Sequence, residues 1–428
     1  MKSMCHYYLG KLDLTPIWIN DRGAQIHIKS CTGYHLDSIW WVVAMKNPIW
    51  QLFQHPFRIF FLSAALWAVV VVPFWALWIS GSVKFDSALN LIVWHRHEML
   101  FGFVNAGIAG FLMTAVCVWT QSERMHGFPL FLLWLVWLAG RILSLVDFNL
   151  PFSVIVSVNL AFLPVVLFDA GIRVLKAHQQ RQYILLLLLA LLWIAEAGVL
   201  IDPNHSWSEI SILVIFTLMS VVGGRITPGF SAGWLNLHGG DSKAVFTDVR
   251  LDWLAILLLL ILCCSLFTAN NEAIAFLAVL ACLAQLFRIL LWRGWLVRGE
   301  PLLWILHISM LWIPISLLLL AAGRWQLINA LVWIHAAGIG AITSLILGVM
   351  ARVCLGHTAR PLTLPKFIAL SFLLIQLCAV LRAATASGAI PWQTGVMLST
   401  ILWVVCFGLF IWRYLGIVMT PRIDGRSG

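Results

Sequence analysis

Long apolar runs limit the fold of this chain more than any other feature. Each run is close to the roughly 20 residues that an α-helix needs to cross the hydrocarbon core of a bilayer. The runs are continuous rather than alternating with a period of two, which excludes a porin-like β-barrel. We therefore predict an all-α, polytopic membrane bundle of about 12 transmembrane helices. The predicted spans are 58–80, 94–119, 129–147, 152–174, 182–201, 209–227, 251–269, 272–292, 301–321, 327–351, 366–386 and 392–415, and only the connection at 228–250 is long.

Composition excludes the other broad classes. The 428 residues are 62% hydrophobic and 10% charged, whereas soluble domains carry about 25% charged residues. The net charge of +10 is typical of cytoplasmic loops rich in Lys and Arg, so we expect no nucleic-acid partner. The nine cysteines form no CxxC pair and no CxxCH motif, which argues against zinc, iron–sulfur and covalently attached haem.

The chain divides into three parts by composition. Residues 1–47 are a polar extension, predicted to be disordered or to lie upstream of a true start at Met45, with a small amphipathic cap as the alternative. Residues 48–420 are predicted to form a single twelve-helix transmembrane domain. Residues 421–428 are predicted to be a cytoplasmic tail.

Basic residues predict the orientation in the membrane. If the N-terminus is cytoplasmic, 22 of the 27 Lys and Arg residues lie on the cytoplasmic side. Only Lys84, Arg324 and Arg382 then lie in loops or helix ends on the opposite side. Because cytoplasmic loops carry the excess of positive charge, we expect both termini in the cytoplasm.

Ionisable residues within spans are costly, so they are candidates for function. The second span opens with WHRHEM at 94–99, near its outer end. At about 1.5 Å per residue, His335 lies roughly 12 Å below the outer boundary. Arg141 and Glu196 fall in the middle to outer half of their spans. We expect these groups to share one layer of the bundle.

The helical period limits how the two histidines of the second span can act. Residues two apart point about 200° away from each other, so His95 and His97 cannot both face one metal in a regular helix. Either one of them serves the site, or His95 precedes the helix. His95, Glu98 and Met99 share a face, and imidazole with thioether suits copper while imidazole also binds haem iron. The alternative is a histidine pair that solvates a helix end.

Small residues at four-residue spacing predict close helix contacts. If the second and tenth spans pack together, His97 and His335 come together at similar depth. The two stripes are Gly102, Ala106 and Gly110 in the second span, and Ala336, Gly340, Ser344 and Gly348 in the tenth.

A second polar layer is predicted near the cytoplasmic face. It contains Arg225, His307, Arg352 and His357. These residues suit a second binding site, or clamps for haem propionates or another anion, because Arg binds carboxylates with two parallel hydrogen bonds. The alternatives are the usual cytoplasmic excess of Arg and a packed, hydrogen-bonded histidine.

Several motifs give the chain a family resemblance over about residues 48–415. The chain resembles the NnrS family, bacterial membrane proteins linked to the nitric-oxide response. The stretches that carry the resemblance are HPFRIFFLSAAL at 55–66, WHRHEMLFGF at 94–103, IAGFLMTAVCVWT at 108–120, WLAGRI at 137–142, GGRITP at 223–228, RGEPLLWILHISMLWIP at 298–314, HAAGIGAITSLILGVMARV at 335–353 and LGHTARPL at 355–362.

The resemblance implies a twelve-span protein of the bacterial inner membrane that contains haem and copper and protects against nitrosative stress. It carries over as cofactor-binding candidates His95, His97, Arg141, Arg225, His307, His335, Arg352 and His357. The metal-ligand candidates are His95, His97, Glu98, Met99 and His335. The chain departs from the family at 229–231, where Gly-Phe-Ser follows GGRITP in place of a bulkier continuation, so a role carried by that turn is in doubt.

Two functions of different classes follow. The first is a haem or copper protein that binds or converts nitric oxide, with His97 and His335 as the ligand pair and an electron donor that the sequence does not name. The second is a membrane transporter or exporter, in which buried His, Glu and Arg form a proton or substrate relay.

Overall fold

The computed structural model describes residues 48–85, 87–268 and 270–426. Within these ranges the regular elements are helices and turns, with no strand, so the predicted all-α class is confirmed. The N-terminal extension predicted at 1–47 lies outside the described residues. The predicted domain limits stay predictions.

Twelve long helices occupy the twelve predicted spans in the described ranges. Eleven of them are long and apolar enough to cross a membrane. They are α1 Pro56–Ile79, α2 Leu91–Thr120, α3 Phe128–Leu145, α4 Phe152–Lys176, α5 Gln180–Ile201, α6 Trp207–Leu237, α8 Asn271–Leu291, α9 Pro301–Arg324, α10 Leu331–His357, α11 Ile368–Ala386 and α12 Trp392–Val418. The remaining helix, α7, is Val249–Ser265 and has 17 residues. It covers only about 26 Å at 1.5 Å per residue.

Helix α6 is longer than predicted. The prediction ended it at residue 227, but it continues through Pro228 to Leu237. A proline removes a single backbone hydrogen bond from a helix, here the one to the carbonyl of Gly224, and the helix continues past it to Leu237. Ser231 Oγ, in the next turn, donates to the carbonyl of Thr227 at 2.8 Å. The first ten residues of the connection predicted at 228–250 are therefore helical.

A proline has a larger effect in α4. The helix is interrupted at Ala161, three residues before Pro164. Pro164 cannot donate to the carbonyl of Leu160, and Trp193 Nε1 donates to that carbonyl at 2.9 Å. A side chain from α5 thus satisfies a backbone oxygen that water could not reach in the membrane.

Helices that follow one another in sequence pack together, and α12 returns to pack against α1. Trp403 of α12 donates to the carbonyl of Ala68 in α1 at 2.8 Å. Helices α2, α6 and α10 form the centre: 78% of the most apolar stretch of α6 is buried, against 33% in α3 and α4. The polar residues of α2 and α10 therefore lie inside the protein rather than against lipid.

The two ends of the bundle differ in their polar residues. We call the end where α2 and α10 begin the histidine end, because it contains His95 and His335. The opposite end, where α1 begins and α12 ends, is the arginine end. There Arg58 Nη1 donates to the carbonyls of Val418 at 2.7 Å and Thr420 at 2.6 Å. Which end faces the cytoplasm stays a prediction.

Candidate functional site

A cavity of about 440 Å³ lies at the histidine end, between α1, α2, α6, α10, α11 and α12. Its wall includes His95 and Met99 from α2, His335 from α10 and Arg382 from α11. Sites for small molecules and cofactors have volumes of roughly 300–1,000 Å³. The cavity is therefore large enough for an organic cofactor, and it joins three of the predicted metal ligands.

His95 faces this cavity from the first turns of α2. The side chain of Asn90 accepts a hydrogen bond from the backbone N–H of Val93 at 2.9 Å and caps the helix, which begins at Leu91. The alternative in which His95 precedes the helix is therefore wrong. Its ring stacks on Trp75, with ring centroids 4.2 Å apart, and its buried Nδ1 has no hydrogen-bond partner in the described ranges.

His335 presents one free ring nitrogen to the same cavity. Its Nδ1 lies 2.8 Å from the carbonyl oxygen of Leu331, so the proton is on Nδ1 and Nε2 keeps its lone pair. His335 lies near enough to His95 for the two rings to interact electrostatically. The structure thus brings His335 together with His95, not with His97 as the small-residue stripes predicted.

His97 points away from the cavity into a buried group of carboxylates. Its Nδ1 lies 3.0 Å from Oε1 of Glu98, and its Nε2 lies 3.3 Å from Oε1 of Glu196 on α5. All three side chains are essentially inaccessible. Both ring nitrogens of His97 therefore have carboxylate partners. The ring points away from His95, as expected for residues two apart on a helix.

Arg141 of α3 completes this buried group. Its Nε lies 2.7 Å from Oε2 of Glu98, and its Nη2 donates to Oδ1 of Asn159 at 2.7 Å. Asn159 Nδ2 in turn donates to Ser144 Oγ at 3.0 Å. We call His97, Glu98, Arg141, Asn159 and Glu196 the carboxylate network. Sequence analysis missed Asn159, although an amide within an apolar span is a usable signal.

The carboxylate network needs one added proton to be neutral. Two carboxylates and one guanidinium sum to a single negative charge when the imidazole is neutral. Both ring nitrogens of His97 face carboxylate oxygens, and a neutral imidazole has only one N–H to donate. One proton shared among His97, Glu98 and Glu196 makes both contacts hydrogen bonds and removes the net charge.

Both histidines of the cavity precede a π-helical segment. In α2 the segment is Glu98–Phe103, and in α10 it is Ala336–Thr343. π-Helical turns are rare and frequently occur at functional sites. Gly102 is required in the first segment, because a Cβ there would lie 2.5 Å from Oε2 of Glu98. These π-helical turns change the direction in which the side chains below the histidines point. The sequence shows no periodicity that would predict them.

Arginines also line the cavity. Arg382 lies with its Cζ 4.6 Å from the ring centroid of Trp392, and its buried Nη1 has no hydrogen-bond partner in the described chain. Arg324 pairs with Glu209 at the rim. Sequence analysis treated Arg382 only as one of the few basic residues on the outer side. The unpartnered nitrogen makes it a candidate to bind an anionic group.

The predicted second layer does not converge on one site. Arg225 donates to Gln182 Oε1 at 3.0 Å and to a backbone carbonyl. His307 Nε2 lies 2.8 Å from Ser231 Oγ. His357 lies apart from both, at the arginine end with its ring 6.1 Å from that of His55. These residues therefore occupy separate positions.

The segment Gly229, Phe230 and Ser231, predicted to depart from the family, has a structural role. Ser231 holds His307, as described above, and Phe230 packs under Arg352, whose Cζ lies 4.0 Å from its ring centroid. Gly294 makes room for the histidine, because a Cβ there would lie 2.5 Å from its Nδ1. The turn at 229–231 is part of α6 and positions two of the predicted residues.

The arginine end contains a second group of buried cations. His55 precedes α1 and lies near Arg58, Arg124 and His357. Burial and, after it, the charge of Arg124 lower the pKa of His55 to about 2. His55 is therefore neutral at physiological pH, and this end of the bundle excludes a further positive charge.

No group of three or more His, Cys, Asp or Glu side chains in the described ranges has the geometry to hold a metal ion. Haem needs only one or two axial protein ligands. The two half-buried imidazoles that line the cavity are side chains there that could act as such ligands.

Comparison with known families gives one match. The model of the NnrS family, described as NnrS protein, matches residues 51–422. The chain belongs to the NnrS family. No curated protein matches it. With its apolar helices, this NnrS-family chain is a multi-pass membrane protein.

The motifs that resemble NnrS proteins fall at both ends of the bundle. His95 and Met99 of WHRHEM at 94–99, and His335 at the start of HAAGIG at 335–340, line the cavity at the histidine end. HPFR at 55–58 and LGHTAR at 355–360 meet at the arginine end, where the His55 and His357 rings lie close together. Each pair joins residues about 240 to 300 positions apart in the sequence. The family motifs therefore coincide with the polar groups at the histidine end and at the arginine end.

Proposed function

We propose that this NnrS-family chain binds haem in the cavity at the histidine end and takes up nitric oxide there. The protein would lie in the bacterial inner membrane and protect the cell against nitrosative stress. Whether nitric oxide is converted or only bound would depend on an electron donor, for which the described residues give no candidate.

The observation that carries the proposal is the pair of imidazoles in one cavity of about 440 Å³. His95 has no hydrogen bond to either ring nitrogen in the described ranges, and His335 has a free Nε2. A buried polar atom without a partner is rare in folded proteins. One buried ring nitrogen without a partner, His95 Nδ1, and the free Nε2 of His335 belong to two side chains that line one cavity of cofactor size, which supports an iron-ligand role for these histidines.

Other cavity residues suit the rest of a haem. Arg382 has an unpartnered Nη1 that would bind a propionate carboxylate. Trp75 stacks on His95 and fixes its ring. The Leu331 carbonyl holds the proton of His335 on Nδ1, which keeps Nε2 available as a ligand. A bound haem would supply an iron centre, to which nitric oxide would bind in place of one of the two imidazoles.

Copper is the second metal proposed for this cavity. His95, Met99 and His335 offer two imidazoles and one thioether to its interior, a donor set that suits copper. Of the five metal-ligand candidates, these three share the cavity, whereas His97 and Glu98 belong to the carboxylate network. Because haem would use the same two imidazoles, a copper ion held by this donor set would occupy the cavity in place of haem, on the cavity side of α2.

The experiment is absorption spectroscopy, with iron and copper quantification, on detergent-purified protein expressed with a haem supply. We expect a Soret band that shifts when nitric oxide is added to the reduced protein. His335→Ala should lose the band and regain it on addition of imidazole. His126→Ala, which changes an exposed loop histidine, is the matched control. A metal-free, colourless protein that is otherwise folded would refute the haem proposal.

One observation favours a transporter as the second candidate. The carboxylate network places two Glu, a His and an Arg inside the bundle, where a shared proton would leave it neutral. Buried ionisable groups of this kind form relays in pumps and exporters. Proton uptake coupled to solute movement in metal-free vesicles, abolished by Glu196→Gln, would support this function over haem binding.

A further inference from the structure

A second, smaller cavity of about 80 Å³ lies between α1, α2, α6 and α10, and about half of its lining residues are partly exposed. Its wall is apolar throughout. A buried water needs two to four polar partners, and this wall offers none. The cavity therefore suits a small apolar guest rather than water.

The small cavity lies directly below the large one. Three helices line both, and on each the lining continues from the upper cavity to the lower within one turn. The upper residues are Leu100, Ile212 and Ile339, and the lower residues are Val104, Ile215 and Ile342. Residues three or four apart are neighbours on one side of a helix. All three helices run in the same direction, because each begins at the histidine end.

The π-helical segments lie at the junction of the two cavities. Leu100 belongs to Glu98–Phe103, and Ile339 and Ile342 belong to Ala336–Thr343. A π-turn contains more residues than an α-turn and locally widens the helix. Gly107 lies just below this junction and has no side chain. The side chain of Ile346 lies 3.0 Å from the position that a Cβ of residue 107 would take.

We propose that the small cavity binds an uncharged diatomic gas and forms the apolar route by which such a gas reaches the large cavity. The binding part follows from volume and lining: an apolar cavity of this kind stays dry and accepts guests such as xenon. The route part rests on the proposed function, because it needs a gas-binding centre in the large cavity. An apolar gas dissolves in the bilayer core, so it can approach from the membrane rather than from water.

Xenon tests the binding part without any haem. Purified haem-free protein is exposed to xenon, and the occupied sites are located by diffraction or by xenon NMR. We expect one xenon in the small cavity of the wild type, a loss of it in Ile346→Trp, and higher occupancy in Ile346→Ala. Ile401→Trp makes the same change on an exposed face of α12 and should leave xenon binding intact. Val349→Phe is a second filling variant, in case the tryptophan prevents folding.

The association rate of nitric oxide tests the route. In the haem-loaded, reduced protein, Ile346→Trp should slow association about tenfold and dissociation by the same factor, with the absorption spectrum and the affinity unchanged, because a barrier on the route slows entry and exit equally. Ile401→Trp should associate at the wild-type rate.

Absence of xenon from the small cavity in both the wild type and Ile346→Ala would overturn the binding part. Bound xenon together with an unchanged association rate in Ile346→Trp would overturn the route. A wild type without haem refutes the proposed function, and the xenon result then still decides whether the cavity takes a gas.

Discussion

At the histidine end, the buried Arg141 lies against a carboxylate, whereas at the arginine end the buried Arg58 lies against backbone carbonyl oxygens. Arg141 pairs with Glu98 between helices. Arg58, which is fully buried, donates instead to the carbonyls of Val418 and Thr420 at the end of α12. The negative end of a helix dipole stabilises a cation there.

This difference separates two tasks. Carbonyl contacts at the arginine end join the start of α1 to the end of α12 and close the bundle. Carboxylate contacts at the histidine end create a group that can hold or release a proton, next to a cavity with two free imidazoles. The carbonyl contacts at the arginine end stabilise the fold, whereas the carboxylate contacts at the histidine end place titratable groups beside the cavity.

The largest effect is expected from breaking the carboxylate network. Arg141→Ala leaves Glu98 buried without its cation, and removing one partner of a buried ion pair costs about 3–5 kcal/mol. The matched control is Arg173→Ala, which removes a half-buried pair with Asp169 at the same 2.7 Å distance and should cost less than about 1 kcal/mol. Thermal unfolding in detergent measures both. Equal losses in the two variants would contradict the distinction between a buried and a surface pair.

A smaller effect is expected from crowding the π-helix of α10. A Cβ at Gly340 would clash with the indole of Trp312, whereas one at Gly338, in the same segment, would meet nothing within 4 Å. Overpacking a tight interior costs roughly 1–3 kcal/mol. Gly340→Ala should therefore lower the melting temperature, and Gly338→Ala should not. If Gly338→Ala is the more damaging variant, the close packing at the histidine end is misassigned.

The smallest effect concerns pH at the arginine end. The pKa of His55 falls to about 2 in the folded protein, below the roughly 6.5 of an exposed histidine. Below pH 6.5 the unfolded chain binds a proton that the folded protein refuses, so stability falls as pH falls, by up to about 1.4 kcal/mol per pH unit.

The measurement for His55 is the melting temperature between pH 7.5 and 5.5. The wild type should lose stability toward the acid side, and His55→Asn should lose less. His126→Asn, at an exposed histidine, should follow the wild type. Parallel curves for the wild type and His55→Asn would show that His55 does not contribute to the acid sensitivity.

Much of the fold could be predicted from the sequence, because each long apolar run has a helix as its only stable form in a membrane. The end of α6 was missed because the predicted apolar segment ends at residue 227, whereas the helix continues through Pro228 to Leu237. The opposite directions of His95 and His97 follow from the helical period and are confirmed by their contacts.

The composition of the site was harder to predict. The pairing of His335 with His95 depends on the packing of α1, α10 and α11 around α2, and a single sequence carries no signal for it. Arg382 looked like an ordinary outer-side arginine, and only the fold shows that it lines the cavity and has a buried nitrogen without a partner. The two π-helical segments arise from tertiary packing rather than from a sequence period.

The most direct test of the haem proposal compares two histidines that are two residues apart. His95→Ala and His97→Asn are purified with a haem supply, and haem content is measured beside size-exclusion profiles that report folding. The geometry predicts that His95→Ala loses haem and regains it with added imidazole, while His97→Asn keeps it. Retention of haem by folded His95→Ala, with its loss in folded His97→Asn, would contradict the assignment.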